Sequence, residues 1–203
     1  MDTEFNSPTT QSEPNTLPVS EKQQNVSALR DLASSIKANK EKGVVVLVVG
    51  AWGVGKTTLG KTLSSFSDGV YLDGDKQGDF EMIKERLHGN ISPGSYTVVG
   101  KSFAEKWAPE ETIRQLQQDG KLVIVNLTAN EDTRMENMYM RAEGYKPHSN
   151  YDVERTRKRI QESPDYRTPL ADFVLNFNKE ARPTMEEVSE LLRSELSVPP
   201  PEV

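Results

Sequence analysis

Short runs of apolar residues alternate along the chain with longer stretches in which apolar residues recur at helical spacing. The short runs predict buried strands, and the recurring spacing predicts amphipathic helices. The predicted strands cover residues 44–49, 70–73, 96–99, 122–127 and 173–177. The predicted helices cover residues 26–39, 57–66, 80–87, 110–119, 131–143, 152–162 and 184–196. Because strands and helices alternate along the chain, the pattern predicts an α/β fold, with a mainly parallel five-stranded sheet and helices on both faces.

Both ends of the chain lack the apolar residues that a folded core requires. Residues 1–26 contain several prolines and few apolar side chains, and residues 197–203 are rich in proline, so both are predicted to be disordered tails. Residues 27–196 are left as one domain of ordinary size with its own core. The helix at residues 26–39 is predicted to pack on the sheet as an N-terminal addition.

Composition narrows the classes of protein that fit this pattern. The 203 residues include 31 acidic and 25 basic ones, and the net charge of −6 argues against nucleic-acid binding over the whole surface. With no cysteine and two histidines, the chain can form neither a disulfide nor a cysteine-ligated zinc site. The longest apolar run is about half of a membrane span, and the N-terminus lacks the features of a signal peptide. The composition therefore predicts a soluble, cytoplasmic protein that makes no membrane contact.

A phosphate-binding loop follows the first predicted strand directly. Residues 50–57 read Gly-Ala-Trp-Gly-Val-Gly-Lys-Thr, a complete G-x-x-x-x-G-K-[ST] pattern, between an apolar run and a predicted helix. The glycines let backbone N–H groups turn toward phosphate oxygens, and the helix presents the positive end of its dipole to them. This pattern predicts binding of a nucleoside triphosphate by Gly50, Trp52, Gly53, Val54, Gly55, Lys56, Thr57 and Thr58.

Three side chains of this loop have individual expectations. Lys56 is predicted to reach the β- and γ-phosphates, and the Thr57 hydroxyl is predicted to coordinate Mg²⁺. Trp52 is bulky for such a loop, and the sequence leaves open whether its ring covers the nucleotide or the core.

Two carboxylates separated by one glycine follow the second predicted strand. Residues 70–75 read Val-Tyr-Leu-Asp-Gly-Asp, so Asp73 and Asp75 are expected at the edge of the sheet where the phosphates would lie. One carboxylate could hold Mg²⁺, while the other could orient or deprotonate an acceptor hydroxyl. An Asp-Gly turn without a chemical role is the alternative interpretation.

The loop and these carboxylates resemble the P-loop kinases of nucleotides and small metabolites, which include guanylate, adenylate, shikimate and gluconate kinases. Residues 72–75, Leu-Asp-Gly-Asp, resemble the acceptor strand of gluconate and adenylylsulfate kinases. The resemblance implies a three-layer P-loop NTPase fold. It also implies that Asp73 lies on the magnesium side and that Asp75 is the base on the acceptor side, with Lys56 as a catalytic residue of the loop.

Arginines on two predicted helices extend the resemblance to a helical lid at residues 134–160. Arg134 and Arg141 lie on one helix, and three further arginines lie on the next helix after a polar segment. In the kinases, lid arginines close over the triphosphate and neutralise charge on the transferred phosphoryl group. The resemblance implies a catalytic role for Arg141 and nucleotide contacts for Arg134 and for Asn176 at the end of the last strand. Solvated, ion-paired helix faces and a strand-ending turn are the alternatives.

These features predict a kinase that transfers the γ-phosphoryl group of ATP or GTP, with Mg²⁺, to a small molecule bearing a hydroxyl or phosphate group. A 5′-hydroxyl end of single-stranded nucleic acid is an alternative acceptor, which Lys101, Lys106 or the lid arginines would contact. An NTPase or scaffold module without kinase activity is the third hypothesis, because the third predicted strand ends in Lys101-Ser102 rather than in an acid. The sequence leaves the oligomeric state open.

Overall fold

The computed structural model describes residues 20–66, 69–74, 85–86, 94–101, 109–144, 153–163 and 167–196, without the side chains of 101 and 141–144. Five strands form there: β1 Val44–Gly50, β2 Gly69–Asp73, β3 Tyr96–Lys101, β4 Leu122–Thr128 and β5 Phe173–Asn176. The α-helices are α1 Glu21–Asn39, α2 Lys56–Ser64, α3 Glu110–Gln118, α4 Glu131–Gly144, α5 Val153–Gln161 and α6 Met185–Leu196. A 3₁₀ turn at Lys40–Lys42 joins α1 to β1.

The five strands form one parallel sheet in the order β2-β3-β1-β4-β5. Every residue of β1 and β4 is buried, because helices cover both faces of the sheet. The predicted α/β fold with a parallel five-stranded sheet is therefore confirmed. Of the helix predicted at residues 80–87, only residues 85–86 are described, and they are helical.

Two apolar cores lie on opposite faces of the sheet, since successive strand residues point to opposite sides. The β1 residues Val44, Val46 and Val48 pack on one face with α1, α2 and α6, and the alternate residues of β1 pack on the other face with Ile113 of α3. Among the described helices, none combines the length and the apolar character of a membrane span.

Helix α1 begins at Glu21, upstream of its predicted start at residue 26. The Ser20 hydroxyl accepts a hydrogen bond from the Gln23 N–H, and the Gln23 side chain accepts one from the Ser20 N–H, at 3.3 and 3.1 Å. This capping box satisfies backbone N–H groups at the helix start, in a stretch where the sequence has few apolar residues. The boundary predicted after residue 26 thus falls inside a helix, and residues 20–26 are part of the folded domain.

The ring of Tyr71 on β2 lies between two glycines. A Cβ atom at Gly60 of α2 would lie 2.5 Å from Tyr71 Cε2, and one at Gly100 of β3 would lie 2.6 Å from the Tyr71 hydroxyl oxygen. The phenol therefore occupies the space into which a side chain at position 100 would project.

We expect Gly100→Ala to destabilise the domain by about 1–3 kcal/mol, because overpacking forces neighbouring atoms to move. Tyr71→Phe removes the oxygen with which the new methyl group would clash, so the double variant should recover part of that loss. Urea unfolding of the four proteins gives the coupling energy between the two positions. Strictly additive losses would show that the clash is relieved by another movement.

Candidate functional site

The loop between β1 and α2 lies where the chain changes direction across the sheet. From β1 the chain passes to β2 at one edge and returns through β3, and it then crosses to β4 and β5 on the other side. Parallel α/β sheets bind ligands at such switch points, beyond the carboxyl ends of the strands. Residues 50–57 therefore lie where this kind of sheet binds a ligand.

All three glycines of the loop have backbone conformations that other residues rarely adopt, since φ is 147° at Gly50, 84° at Gly53 and 106° at Gly55. A Cβ atom at Gly50 would lie 2.5 Å from the Leu127 carbonyl oxygen, and one at Gly53 would lie 3.0 Å from the Arg134 carbonyl oxygen. The side chain of Val54, the residue after Gly53, is fully buried in the core and anchors the loop. The loop is thus fixed by packing, with glycines where the backbone comes close to its neighbours.

The first turn of α2 contains Lys56, Thr57 and Thr58. Nζ of Lys56 donates hydrogen bonds to the carbonyl oxygens of Gly50 and Ala51, at 2.9 and 2.8 Å. The ammonium group therefore lies inside the loop, beside the positive end of the α2 dipole. Thr57 is partly buried at this helix end, and Thr58 is exposed.

Asp73 ends β2 on the face of the sheet that α2 covers. Tyr71 packs against Gly60 of α2, and strand residues two apart share a face, so Asp73 lies beyond Tyr71 toward the start of α2. Thr57 precedes Gly60 by one helical turn and lies on the same side of α2. The fold therefore brings Thr57 and Asp73 to the same end of the layer between sheet and helix.

A hydroxyl and a carboxylate fit the chemistry of Mg²⁺, which is usually held by one or two carboxylates together with substrate phosphates and water. Over the part of the chain that the structure describes, no group of three or more His, Asp or Glu side chains could hold a metal ion by itself. The magnesium roles of Thr57 and Asp73 stay predictions.

Helices α4 and α5 lie against the loop. The Asn137 side chain of α4 donates to the Gly53 carbonyl oxygen at 2.9 Å, and the Trp52 N–H donates to the Ser163 hydroxyl after α5 at 3.3 Å. The Arg159 guanidinium lies over the Trp52 ring, 5.7 Å from its centroid, which is within the range of a cation–π contact. The Trp52 ring is partly buried and faces α5, not either apolar core.

The basic residues of α5 divide between two surroundings. Arg157 pairs with Glu154 at 3.5 Å and Lys158 pairs with Glu162 at 3.8 Å, and all four side chains are exposed. These pairs fit the solvated helix face that the sequence left open as an alternative. Arg159, in contrast, is directed at the phosphate-binding loop.

Arg134 is buried and connects α4 to the end of α5. Its guanidinium donates to the carbonyl oxygens of Ile160 and Ser163, at 2.6 and 2.7 Å. Carbonyl groups at the carboxyl end of a helix have no partner within the helix and carry partial negative charge, so they stabilise a buried cation. Arg134 therefore has a structural role, and its contact with a nucleotide stays a prediction.

A pocket of about 450 Å³ lies at the ends of β4 and β5. Its walls are mostly polar and come from both strand ends, α4 and α5: Thr128, Ala129, Asn130, Glu131, Arg134, Ile160, Gln161, Arg167, Asn176 and Asn178. Small-molecule sites usually have volumes of roughly 300–1,000 Å³. The Asn176 side chain also donates to Glu21 of α1 and accepts from the Asn178 N–H, at 3.1 and 3.0 Å.

Two predicted catalytic side chains lie outside the described residues. Asp75 is one of them, and Arg141 is described only as backbone of α4. Lys106 and the side chain of Lys101, named above for a nucleic-acid acceptor, are also outside. The roles of all four stay predictions.

Three residues that hold the site together were not predicted: Asn137, Ser163 and Asn25. Asn137 follows Arg134 by one helical turn, so helical spacing could have drawn attention to it. Ser163 contacts a residue 111 positions away, and no local pattern indicates such a contact. Asn25 is buried and bonds the main chain at Asn176, 151 positions away.

A parallel sheet whose central strand runs through a G-x-x-x-x-G-K-[ST] loop into a helix defines the class of P-loop NTPases. The predicted three-layer P-loop NTPase fold is therefore confirmed. The family model of the KAP family P-loop domain matches residues 26–127 of the sequence. These residues are half of the chain and extend from α1 to β4. The chain belongs to the KAP family of P-loop domains.

The chain is similar to several solved structures at low sequence identity. A gluconokinase from Sinorhizobium meliloti is 16% identical with a TM-score of 0.44, over 77% of this chain and 92% of that one. A shikimate kinase from Acinetobacter baumannii, in complex with shikimate, is 17% identical with a TM-score of 0.41, over 80% and 93%. An uncharacterized protein from Eubacterium ventriosum is 10% identical with a TM-score of 0.46, over 75% and 97%. No curated protein matches the chain.

Proposed function

We propose that the chain is a kinase that transfers the γ-phosphoryl group of ATP or GTP to the hydroxyl or phosphate group of a small acceptor. The observation that supports this best is the contact between α5 and the phosphate-binding loop, in which Arg159 lies over Trp52. Phosphoryl transfer depends mainly on positioning and on neutralising negative charge. The loop would position the phosphates, and Lys56 and Arg159 bring positive charge to the loop.

The loop and the carboxylates would have different roles in the transfer. Backbone N–H groups of the loop and the Lys56 ammonium would hold the β- and γ-phosphates. Thr57 and Asp73 would hold Mg²⁺, which when bound neutralises charge between the phosphates. On the resemblance to the kinases, Asp75 would accept the proton of the acceptor hydroxyl, and Arg141 would neutralise charge on the transferred group.

The pocket at the ends of β4 and β5 would take the purine base of the triphosphate. It adjoins the loop through Arg134, which lines the pocket and whose carbonyl oxygen approaches Gly53. Its polar walls include the amide side chains of Asn130, Asn176 and Asn178, which suit the donor and acceptor groups at the edge of a purine.

A second candidate function is hydrolysis of the triphosphate without a separate acceptor. The match to a family of P-loop NTPase domains favours it. Strand β3 ends in Gly100 and Lys101, so it offers no carboxylate for a metal. The Tyr71 hydroxyl fills the space beside Gly100. An enzyme of either kind would then depend on Asp73 for its metal-side carboxylate.

A transfer assay separates the two candidates. We expect the purified chain, given Mg²⁺ and ATP or GTP labelled at the γ-phosphate, to label one class of acceptor from a panel of nucleotides, sugars and 5′-hydroxyl oligonucleotides. Label released only as inorganic phosphate would support the NTPase instead. Binding of nucleotide without any turnover would contradict both the kinase and the NTPase function, and the scaffold module would be the remaining hypothesis. Omission of Mg²⁺ is the matched control for either activity.

A further inference from the structure

Asn137 fastens α4 to the main chain of the phosphate-binding loop. Its Nδ2 donates to the Gly53 carbonyl oxygen at 2.9 Å, and its Oδ1 accepts from Nη1 of Arg182 at 2.8 Å. A guanidinium group can only donate hydrogen bonds, so the amide oxygen must face Arg182 and the amide nitrogen must face the loop. Arg182 thus fixes the orientation in which Asn137 meets Gly53.

This contact sets the direction of the next N–H group in the loop. In a trans peptide the C=O and N–H bonds point in opposite directions, and the described residues contain no cis peptide bond. Because the Gly53 carbonyl faces α4, the Val54 N–H faces away from α4, and it donates a long hydrogen bond of 3.4 Å to the Ala51 carbonyl oxygen. The Lys56 ammonium donates to the same oxygen at 2.8 Å. The N–H group and the ammonium therefore share one acceptor, the Ala51 carbonyl oxygen, which a bound phosphate would replace.

The loop needs such a restraint because Gly53 is a glycine. Glycine is favoured there because a Cβ atom would lie only 3.0 Å from the Arg134 carbonyl oxygen and because the φ of 84° strains other residues. Glycine adopts positive and negative φ with similar ease, so its own backbone does not hold the peptide plane in one orientation. Rotation of that peptide would turn the Gly53 carbonyl oxygen into the loop, where it would repel a phosphate.

We propose that Asn137 is a positioning residue for phosphate binding, which holds the Gly53–Val54 peptide so that the Val54 N–H faces the β-phosphate of a bound nucleotide. The proposal rests on the proposed function only in requiring that a nucleoside di- or triphosphate binds in the loop. Asn137 acts through the main chain, and it needs no contact with the nucleotide.

Comparison of ADP with AMP isolates this role, since AMP has no β-phosphate. We expect Asn137→Ala to weaken ADP binding about tenfold in titration calorimetry, as for loss of one well-made hydrogen bond, and to change AMP binding less than twofold. Glu136→Ala is the matched control: it removes an exposed ion pair with Lys179 from the same helix and should leave both affinities unchanged.

A second variant keeps the test valid if Asn137→Ala fails to fold. Arg182→Ala removes the group that orients the Asn137 amide, and Arg182 is only partly buried, so we expect about threefold weaker ADP binding with AMP unchanged. Unchanged ADP binding, or equal losses for ADP and AMP, would overturn the inference and leave the proposed function standing. Failure of the wild-type chain to bind ADP would overturn the proposed function and this inference with it.

Discussion

Lys56→Ala should weaken binding of ATP or GTP by roughly 100-fold, because it removes a charge-assisted contact to the phosphates. The Lys56 ammonium lies within the loop and donates to the carbonyl oxygens of Gly50 and Ala51. Without it, these two oxygens would face the phosphates with no cation between them. The loss should therefore exceed that of one neutral hydrogen bond. Titration calorimetry with ADP and with a non-hydrolysable triphosphate measures the effect.

Lys61→Ala is the control for this variant. Lys61 lies on the same helix, α2, but its side chain is exposed and away from the loop. The control has the same change in net charge, so any general electrostatic effect on nucleotide binding appears in both variants. Equal affinities for Lys56→Ala and Lys61→Ala would show that the ammonium does not meet the phosphates, and the proposed function would lose its main cation.

The features that could be predicted from the sequence are those that short stretches encode. The loop at residues 50–57 is contiguous, so its pattern of glycines and lysine can be recognised from the sequence alone. The start of α6 is another example, because the Thr184 hydroxyl accepts from the Glu187 N–H and the Glu187 carboxylate accepts from the Thr184 N–H. A hydroxyl followed by an acid at this spacing is a local signal for a helix start.

The features that could not be predicted depend on contacts between distant parts of the chain. Asn137 and Gly53 are 84 positions apart, and only the packing of α4 over the loop brings them together. The start of α1 similarly depends on Asn25, whose side chain donates to the carbonyl oxygens of Asn176 at the end of β5 and of Ala181 beyond it. A single polar residue with a distant partner leaves no periodic pattern, so its role becomes visible only in the folded chain.

The position of Asp73 could be predicted from the sequence only in part. Strand alternation alone predicts that Asp73 shares a face with Tyr71, but it does not say which helix covers that face. The packing of Tyr71 against Gly60 identifies the helix as α2, whose first turn contains Thr57. A carboxylate predicted to lie at the phosphate end of the sheet therefore lies on the face that is covered by the helix beginning at the phosphate-binding loop.

Asp73→Asn should lower Mg²⁺-dependent turnover by roughly 100-fold, whether the assay follows phosphoryl transfer or release of phosphate. Asparagine has nearly the same size as aspartate, so the packing at the end of β2 should survive while the charge proposed to hold the metal is lost. Binding of ADP without Mg²⁺ should change less than twofold. Steady-state rates over a range of Mg²⁺ concentrations, together with calorimetry in EDTA, measure both quantities.

Two further variants show whether the effect belongs to the metal. Asp31→Asn removes an equal charge from an exposed position on α1 and should leave turnover unchanged. Asp75→Asn should lower transfer to an acceptor without changing the Mg²⁺ concentration needed for half-maximal rate, since its predicted role is that of a base. If Asp73→Asn leaves the Mg²⁺ dependence unchanged, the metal-side carboxylate is not Asp73, because loss of a ligand must weaken the metal it holds.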